Sequence, residues 1–398
     1  TYIKDLNSFT ELLMDCQWSF LYYLPLFSMG DVANLIPEQA QSFRHITKLY
    51  QTVAKALQVD SYLVHVPQRP ELRAQLLQCQ GLFDGLKGGM SVLLDAKRKS
   101  FARLYFMSDR DILDMMSQTA SAPHLLGSYV HKCFAGIFNL AFTRSKDSIE
   151  ALCSENGEQV FLSKPVLFLG TVTEVWMADL EKEMQRTMAL VTKQAVASIH
   201  EIAPERRLFD WPIEAAMLAH ETYFTNDAEA SIAAGQPRAL QESRATLATR
   251  VATFAKELNM LPGKSSLTPL QRNARTAQLL LLLKFRDTLA ELIRNDVTSV
   301  DDFVWRSNLR YYVPDEGGMQ VECCMYRVPY GFEFLGGKSR LVMTDMTRRA
   351  VATTMGALHC HLGAALIGKP GKPNFCFHTN TGLAWSVQVC CSVNRVLA

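Results

Sequence analysis

Apolar residues recur every three or four positions through most of the first three hundred residues, as expected for amphipathic helices packed side by side. Ser8-Phe9-Thr10-Glu11 has the form of a capping box, with Leu12, Leu13, Cys16 and Phe20 following at helical spacing. A helix is therefore expected from there to Pro25, whose ring would clash with the preceding turn. From Pro37, the row Ala40, Phe43, Ile46, Tyr50, Val53 and Leu57 marks one apolar face. A longer row runs from Pro70 through Leu72, Leu76, Cys79, Phe83, Leu86, Met90 and Leu94 to Lys97-Arg98-Lys99. Gly88-Gly89 interrupts it, and two interior glycines cost about 2 kcal/mol of helix propensity, which predicts a bend or break. Further helices are expected over 180–203, 239–258, 269–294 and 347–362, with loops at 233–237 and 261–263.

Strand character is sparse and grouped. Gln159 to Leu169 is β-branched and aromatic but broken by Pro165, Met319 to Val328 follows the turn Asp315-Glu316-Gly317-Gly318, and Leu341 to Thr344 is a third stretch. The fold class is mainly α with a few β-strands, and the last third is mixed. No repeat or low-complexity tract is present.

Composition narrows this picture. With 398 residues, 48% of them hydrophobic, the chain can bury a large core divided among two or three domains. The 41 Lys and Arg residues nearly balance the 39 Asp and Glu residues without local clustering, which argues against electrostatic binding to nucleic acid or a membrane surface. The longest aliphatic run, Leu279 to Leu283, is closed by Lys284 and Arg286 and falls far short of the ~20 residues of a membrane span. Ten scattered cysteines, including the adjacent pairs Cys323-Cys324 and Cys390-Cys391, form no Cys-x-x-Cys and read as reduced, buried thiols of a cytoplasmic protein. The N-terminus has neither an initiator Met nor a signal-peptide pattern, so the expected product is longer.

Candidate chemistry is thin. Pro262-Gly263-Lys264-Ser265-Ser266 contains Gly-Lys-Ser but lies between two helices with Leu258 at the first glycine position, so it reads as a plain loop. His359-Cys360-His361, with His378 beyond, does not give ligands on one helix face, and no metal site is expected. No serine, cysteine or histidine sits in a nucleophile context, so no catalytic residue is assigned. Gly368-Lys369-Pro370-Gly371-Lys372-Pro373-Asn374-Phe375 is the strongest candidate. Read without a gap as G-x-x-x-x-G-K-[ST], it keeps Gly368, while Pro373, Asn374 and Phe375 take the places of the second Gly, the Lys and the Mg²⁺-holding hydroxyl. A gapped reading through Gly371-Lys372 meets Pro373, which has neither hydroxyl nor N–H.

From about Trp18 onward the chain resembles the dynein heavy chains, over their linker and the start of the first AAA+ module. Trp18-Ser19-Phe20-Leu21, Leu26-Phe27-Ser28 and Leu35-Ile36-Pro37-Glu38 are similar to the early linker pattern. Asp95 to Ser108, a Lys-Arg stretch running into Phe101-Ala102-Arg103-Leu104-Tyr105-Phe106, is the most specific match. Glu155-Asn156-Gly157-Glu158, Gly170 to Trp176, Asp302-Phe303-Val304-Trp305 and Leu309-Arg310-Tyr311-Tyr312 also fit. Tyr330 to Gly336 resembles the start of the first module, and Val387 to Asn394 resembles its next strand at the distance that places Asn374 at the lysine position.

The resemblance implies an elongated helical-bundle linker over 1–325, then the incomplete N-terminal part of an α/β AAA+ module over 326–398 with a degenerate Walker A loop. It places Leu341, Val342, Met343 and Thr344 along the adenine, with Asp345 replacing the family's Pro, and Gly368, Gly371, Lys372 and Asn374 at the phosphates. Phosphoryl transfer needs a positive charge on the β/γ-phosphates and a hydroxyl on Mg²⁺. The expectation is weak ATP or ADP binding at most and no hydrolysis, in a chain that ends before an acidic metal-binding strand and cannot complete a site alone. The implied role is mechanical, and the alternative is a minus-end-directed microtubule motor ATPase segment. Implied partners are the rest of the dynein AAA+ ring, intermediate and light chains and, indirectly, microtubules, in the cytoplasm, the cytoskeleton or the axoneme of a cilium or flagellum.

Overall fold

The structure is a computed structural model and describes residues 2–28, 37–60, 62, 65, 69–121, 123–200, 211–235, 237–260, 268–314, 318–337 and 342–363. The backbone divides into two units, one made of residues 1–133 and 168–177, the other of residues 134–167 and 178–398.

The first unit is built on α1 (Tyr2–Ser28), α2 (Pro37–Val59) and α3 (Pro70–Ser100). Helix α1 starts six residues before the capping-box motif and continues past Pro25, which lies within its last turn, where loss of one N–H interrupts little. Helix α3 is continuous through Gly88-Gly89 rather than broken. Packing compensates through the buried row Leu86, Met90 and Leu94 that flanks the glycines, while a Cβ at Gly89 would lie 2.8 Å from Gln39 Nε2 of α2, the movable end of a side chain. The buried rows Ala40, Phe43, Ile46, Val53 and Leu72, Leu76, Cys79, Phe83, Leu86, Met90, Leu94 match the expected faces. Aromatic rings fill the space between them, with Phe20 stacked 4.6 Å from Tyr50 and Phe27 stacked 4.9 Å from Phe43.

After α3, a 3₁₀ turn over Ala102–Phe106 leads to α4 (Asp109–Ser121) and α5 (Leu126–Cys133). Arg103 is buried here and donates to the Cys133 carbonyl at 3.0 Å. Lys97 is also buried and reaches Glu174 Oε2 at 2.8 Å. Glu174 belongs to α6 (Thr173–Ala197), whose first residues fall in this unit. Two motifs distant in sequence, the Lys-Arg stretch and Gly170 to Trp176, thus meet in one largely buried ion pair.

The second unit holds a meander of β1 (Asn139–Phe142), β2 (Ser148–Cys153) and β3 (Gln159–Leu167), paired antiparallel in that order. Pro165 does not end β3. The register shifts so that Ile149 pairs with Val166 and Ala151 with Phe161, and Pro165 sits in the bulged stretch, where no ladder N–H is required. The main helices are α7 (Ile213–Ala233), α8 (Pro237–Met260) and α9 (Pro269–Arg294), the last capped by the reciprocal Thr268 and Gln271 bonds of a capping box.

A short helix, α10 (Phe303–Arg306), leads into a second meander of β4 (Arg310–Tyr312), β5 (Gln320–Cys323) and β6 (Tyr326–Pro329). The single strand expected over Met319 to Val328 is two strands folded back at Cys324-Met325. Val342 to Thr344 form no strand. Instead, Thr344 caps α11 (Asp345–His359), its Oγ1 accepting from Thr347 N at 3.3 Å. Among the described residues no helix is long and apolar enough to cross a membrane.

Candidate functional site

Helix α7 organises the second unit. Its first two turns are buried on every side through Ile213, Ala215, Ala216, Met217, Leu218 and Ala219, and Phe224, Ala228 and Ile232 continue one buried face, where Phe224 stacks 4.0 Å from Phe285 of α9. A buried helix face can carry polar side chains only where each has a partner. Glu214, Glu221 and Glu229 meet that condition. Glu221 accepts Lys284 Nζ of α9 at 2.7 and 2.8 Å, and Glu229 accepts Trp305 Nε1 at 3.0 Å and the Tyr312 hydroxyl at 2.6 Å. Thr225 Oγ1 accepts the Tyr311 N–H at 3.2 Å. Burial and the Glu229 carboxylate push the Tyr312 hydroxyl well above the usual phenol range, so it stays a donor.

At the start of α7, Glu214 accepts the Tyr330 hydroxyl at 2.5 Å and Leu335 N at 3.1 Å. Glu158, from the loop between β2 and β3, accepts Ile213 N at 2.7 Å, and a further bond comes from the Gly337 backbone N–H. Burial is the largest influence on Glu158 and pushes its carboxyl up, against the two backbone donors. Asn156 and Asn273 donate to the Gly337 carbonyl at 3.2 and 3.5 Å.

Residues 330–337 therefore form a strap held by the first sheet, α7 and α9. Its path is tight. A Cβ on Gly136 would fall 1.9 Å from the Phe334 carbonyl oxygen, and Gly336 and Gly337 take φ of 60° and 44°, which side-chain-bearing residues rarely adopt. Two motifs from the sequence, Glu155 to Glu158 and Tyr330 to Gly336, thus become one junction.

Beyond the strap, Arg348 of α11 pairs with Glu291 of α9, bonds Asp345 at 2.6 Å and reaches Asn308 Oδ1 at 3.5 Å. Of the expected adenine-side residues, Val342 and Thr344 are exposed. Met343 is half-buried and lines a recess with Lys284, Ser307, Asn308, Leu309, Arg348 and Val351, which has room for about one water. Leu341, Gly368, Gly371, Lys372 and Asn374 lie outside the described residues, as do His378 and the 262–266 loop. His359 is tilted against Tyr326 at 5.0 Å, and Cys360 and His361 are exposed. Among the described residues no three His, Cys, Asp or Glu side chains group as metal ligands.

The acids of α7 escape a sequence reading because their helix does. With apolar residues on all faces it shows no 3.6-residue stripe, so neither the helix nor Glu214, Glu221 and Glu229 stands out.

The strap starts where a known family begins. The family described as the hydrolytic ATP binding site of dynein motor region matches residues 330–391, and dynein heavy chain, N-terminal region 2, matches residues 1–195. The chain belongs to the dynein heavy chain family. It is 27% identical over 390 residues to dynein axonemal heavy chain 1 of Rattus norvegicus, covering 98% of this chain and 8% of that protein. Human dynein axonemal heavy chain 1 is 27% identical over 386 residues, covering 97% of this chain and 9% of its own length. Cytoplasmic dynein 2 heavy chain 1 of Caenorhabditis elegans is 26% identical over 372 residues, covering 93% and 8%. The chain therefore spans about a tenth of the length of the curated relatives it matches. Residues of the motifs that carry the resemblance form pairs described above: Lys97 with Glu174, Asn156 with Gly337, and Trp305 and Tyr312 with Glu229.

Proposed function

We propose that this chain is a mechanical linker, over about 1–325, joined at 326–398 to the start of a first AAA+ module that has lost ATP hydrolysis. The observation that carries this reading is the pair Asn374 and Phe375, at the lysine and hydroxyl positions of a loop inside the segment that matches a hydrolytic ATP binding site. An amide cannot neutralise β/γ-phosphate charge and a phenyl ring cannot hold Mg²⁺. Leu341, Val342, Met343, Thr344, Gly368, Gly371, Lys372 and Asn374 are then remnants of a nucleotide site that holds ATP or ADP weakly. The strap supports a mechanical role. Its hydrogen bonds to Glu214, Glu158, Asn156 and Asn273 give displacement at residue 337 a stiff route into α7 and α9.

In this reading the partners are the remainder of a dynein AAA+ ring, with intermediate and light chains, and microtubules are engaged indirectly. The setting is the cytoskeleton, including the axoneme of a cilium or flagellum, in keeping with the word axonemal in the names of two of the relatives above. The test is a titration of the purified chain with a fluorescent ATP analogue, alongside phosphate release. Binding weaker than micromolar and no phosphate release are expected. Micromolar binding that is lost in Lys372→Ala, or sustained phosphate release, would overturn the proposal in favour of a working motor ATPase.

A further inference from the structure

Cys323 and Cys324 close the hairpin between β5 and β6, and the chain spends conformational energy to put them there. Cys324 occupies the first loop position with φ of 55°, where glycine or asparagine is the ordinary choice and any other L-residue costs about 1–2 kcal/mol. The turn is held in that shape by the Cys324 N–H, which donates to the Arg306 carbonyl at 2.6 Å, and by the pairing of Cys323 with Tyr326. The two thiols touch each other. Cys323 is buried, donates its S–H to the Ser307 carbonyl at 3.3 Å and packs with Val351 and Met355 of α11, while Cys324 is half-exposed. The other described cysteines offer no such arrangement: Cys16 and Cys79 are both buried, and Cys360 is an isolated exposed thiol.

We propose that the Cys323-Cys324 turn is a thiol switch, oxidised by a hydroperoxide to a vicinal disulfide and read out by the helix α11 that rests on Cys323. The Cys324 sulfur attacks the peroxide oxygen, giving a sulfenic acid and releasing water or an alcohol. The Cys323 sulfur then displaces the sulfenic hydroxyl, which leaves as water with the Cys323 thiol proton. Two thiols lose two electrons in all, and the peroxide O–O bond is reduced. Burial and the neighbouring thiol push Cys323 up to about 12, so it remains a protonated thiol until Cys324 has reacted. An eight-membered disulfide ring is strained and therefore easily reduced, as a reversible device requires. Its formation removes the S–H bond to Ser307 and draws the sulfur away from Val351 and Met355, loosening α11.

The test is made on the purified chain treated with hydrogen peroxide, then mapped without reductant. The tryptic peptide 311–327 contains both thiols and no other cysteine. The expected result is loss of two hydrogens from that peptide, regained with dithiothreitol, together with faster amide exchange over 345–359 in the oxidised form. Cys324→Ser, which leaves the buried thiol in place, is expected to show neither change. Addition of two oxygens at Cys324 with Cys323 untouched, no reaction in the peptide, or a disulfide that leaves exchange over 345–359 unaltered would each overturn the proposal.

Discussion

Asn156 donates its side-chain amide to the Gly337 carbonyl at 3.2 Å, tying a loop of the first sheet to the strap 181 residues further along the chain. With Glu158 on the same glycine and Glu214 on Leu335, side chains bond the strap's backbone at 335 and 337. Its stability therefore rests on a few identifiable groups.

Gly136→Ala should be severe. The new Cβ would meet the Phe334 carbonyl oxygen and the Leu335 backbone, which no flexible side chain can relieve. A loss of about 3 kcal/mol or more is expected from forced backbone displacement, measured as the urea midpoint with the tryptophan signal of the second unit.

Lys284→Met should leave Glu221 buried without its cation. The two side chains are 13% and 5% exposed, so the pair is little screened by solvent. A loss of about 3–5 kcal/mol is expected. Combining it with Glu221→Leu should recover most of that loss in thermal unfolding, since two apolar groups remove both desolvation penalties.

Glu158 sets a pH dependence. Its carboxyl is raised above the ordinary 4.5 by burial, so the folded chain holds this proton at pH values where the unfolded chain has released it. The stability it contributes is complete below 4.5 and is lost as pH rises through its folded value. Glu158→Gln cannot titrate, so unfolding compared across this range should show the variant gaining on the wild type as pH increases. A constant difference would contradict the assignment.

Two neighbouring glycines in α3 should differ. Gly88 has open space where a Cβ would stand, and alanine there is expected to stabilise the first unit by about 1 kcal/mol through helix propensity. At Gly89 the Cβ meets the Gln39 amide, so part of that gain should disappear. Thermal melts of the two single variants compare them directly.

Much of the helical framework is legible in the sequence. The faces of α2 and α3, the start of α9 at Pro269 and its end at Arg294 follow from spacing and capping. Other features are hidden for definite reasons. Pro25 and Pro165 look like terminators, yet one lies in a last turn and the other in a bulge, places where a missing N–H costs little. The hairpin at Cys324 lacks the glycine that would announce it.

The sequence by itself determined the family and the helical periodicity, because each is a matter of residue type at a fixed spacing. Tertiary structure alone decided that Glu214, Glu221 and Glu229 are anchors and that Asn156 and Glu158 hold Gly337. A buried charge declares its role only through its partner, and these partners lie between 63 and 181 residues away, beyond the reach of any local pattern.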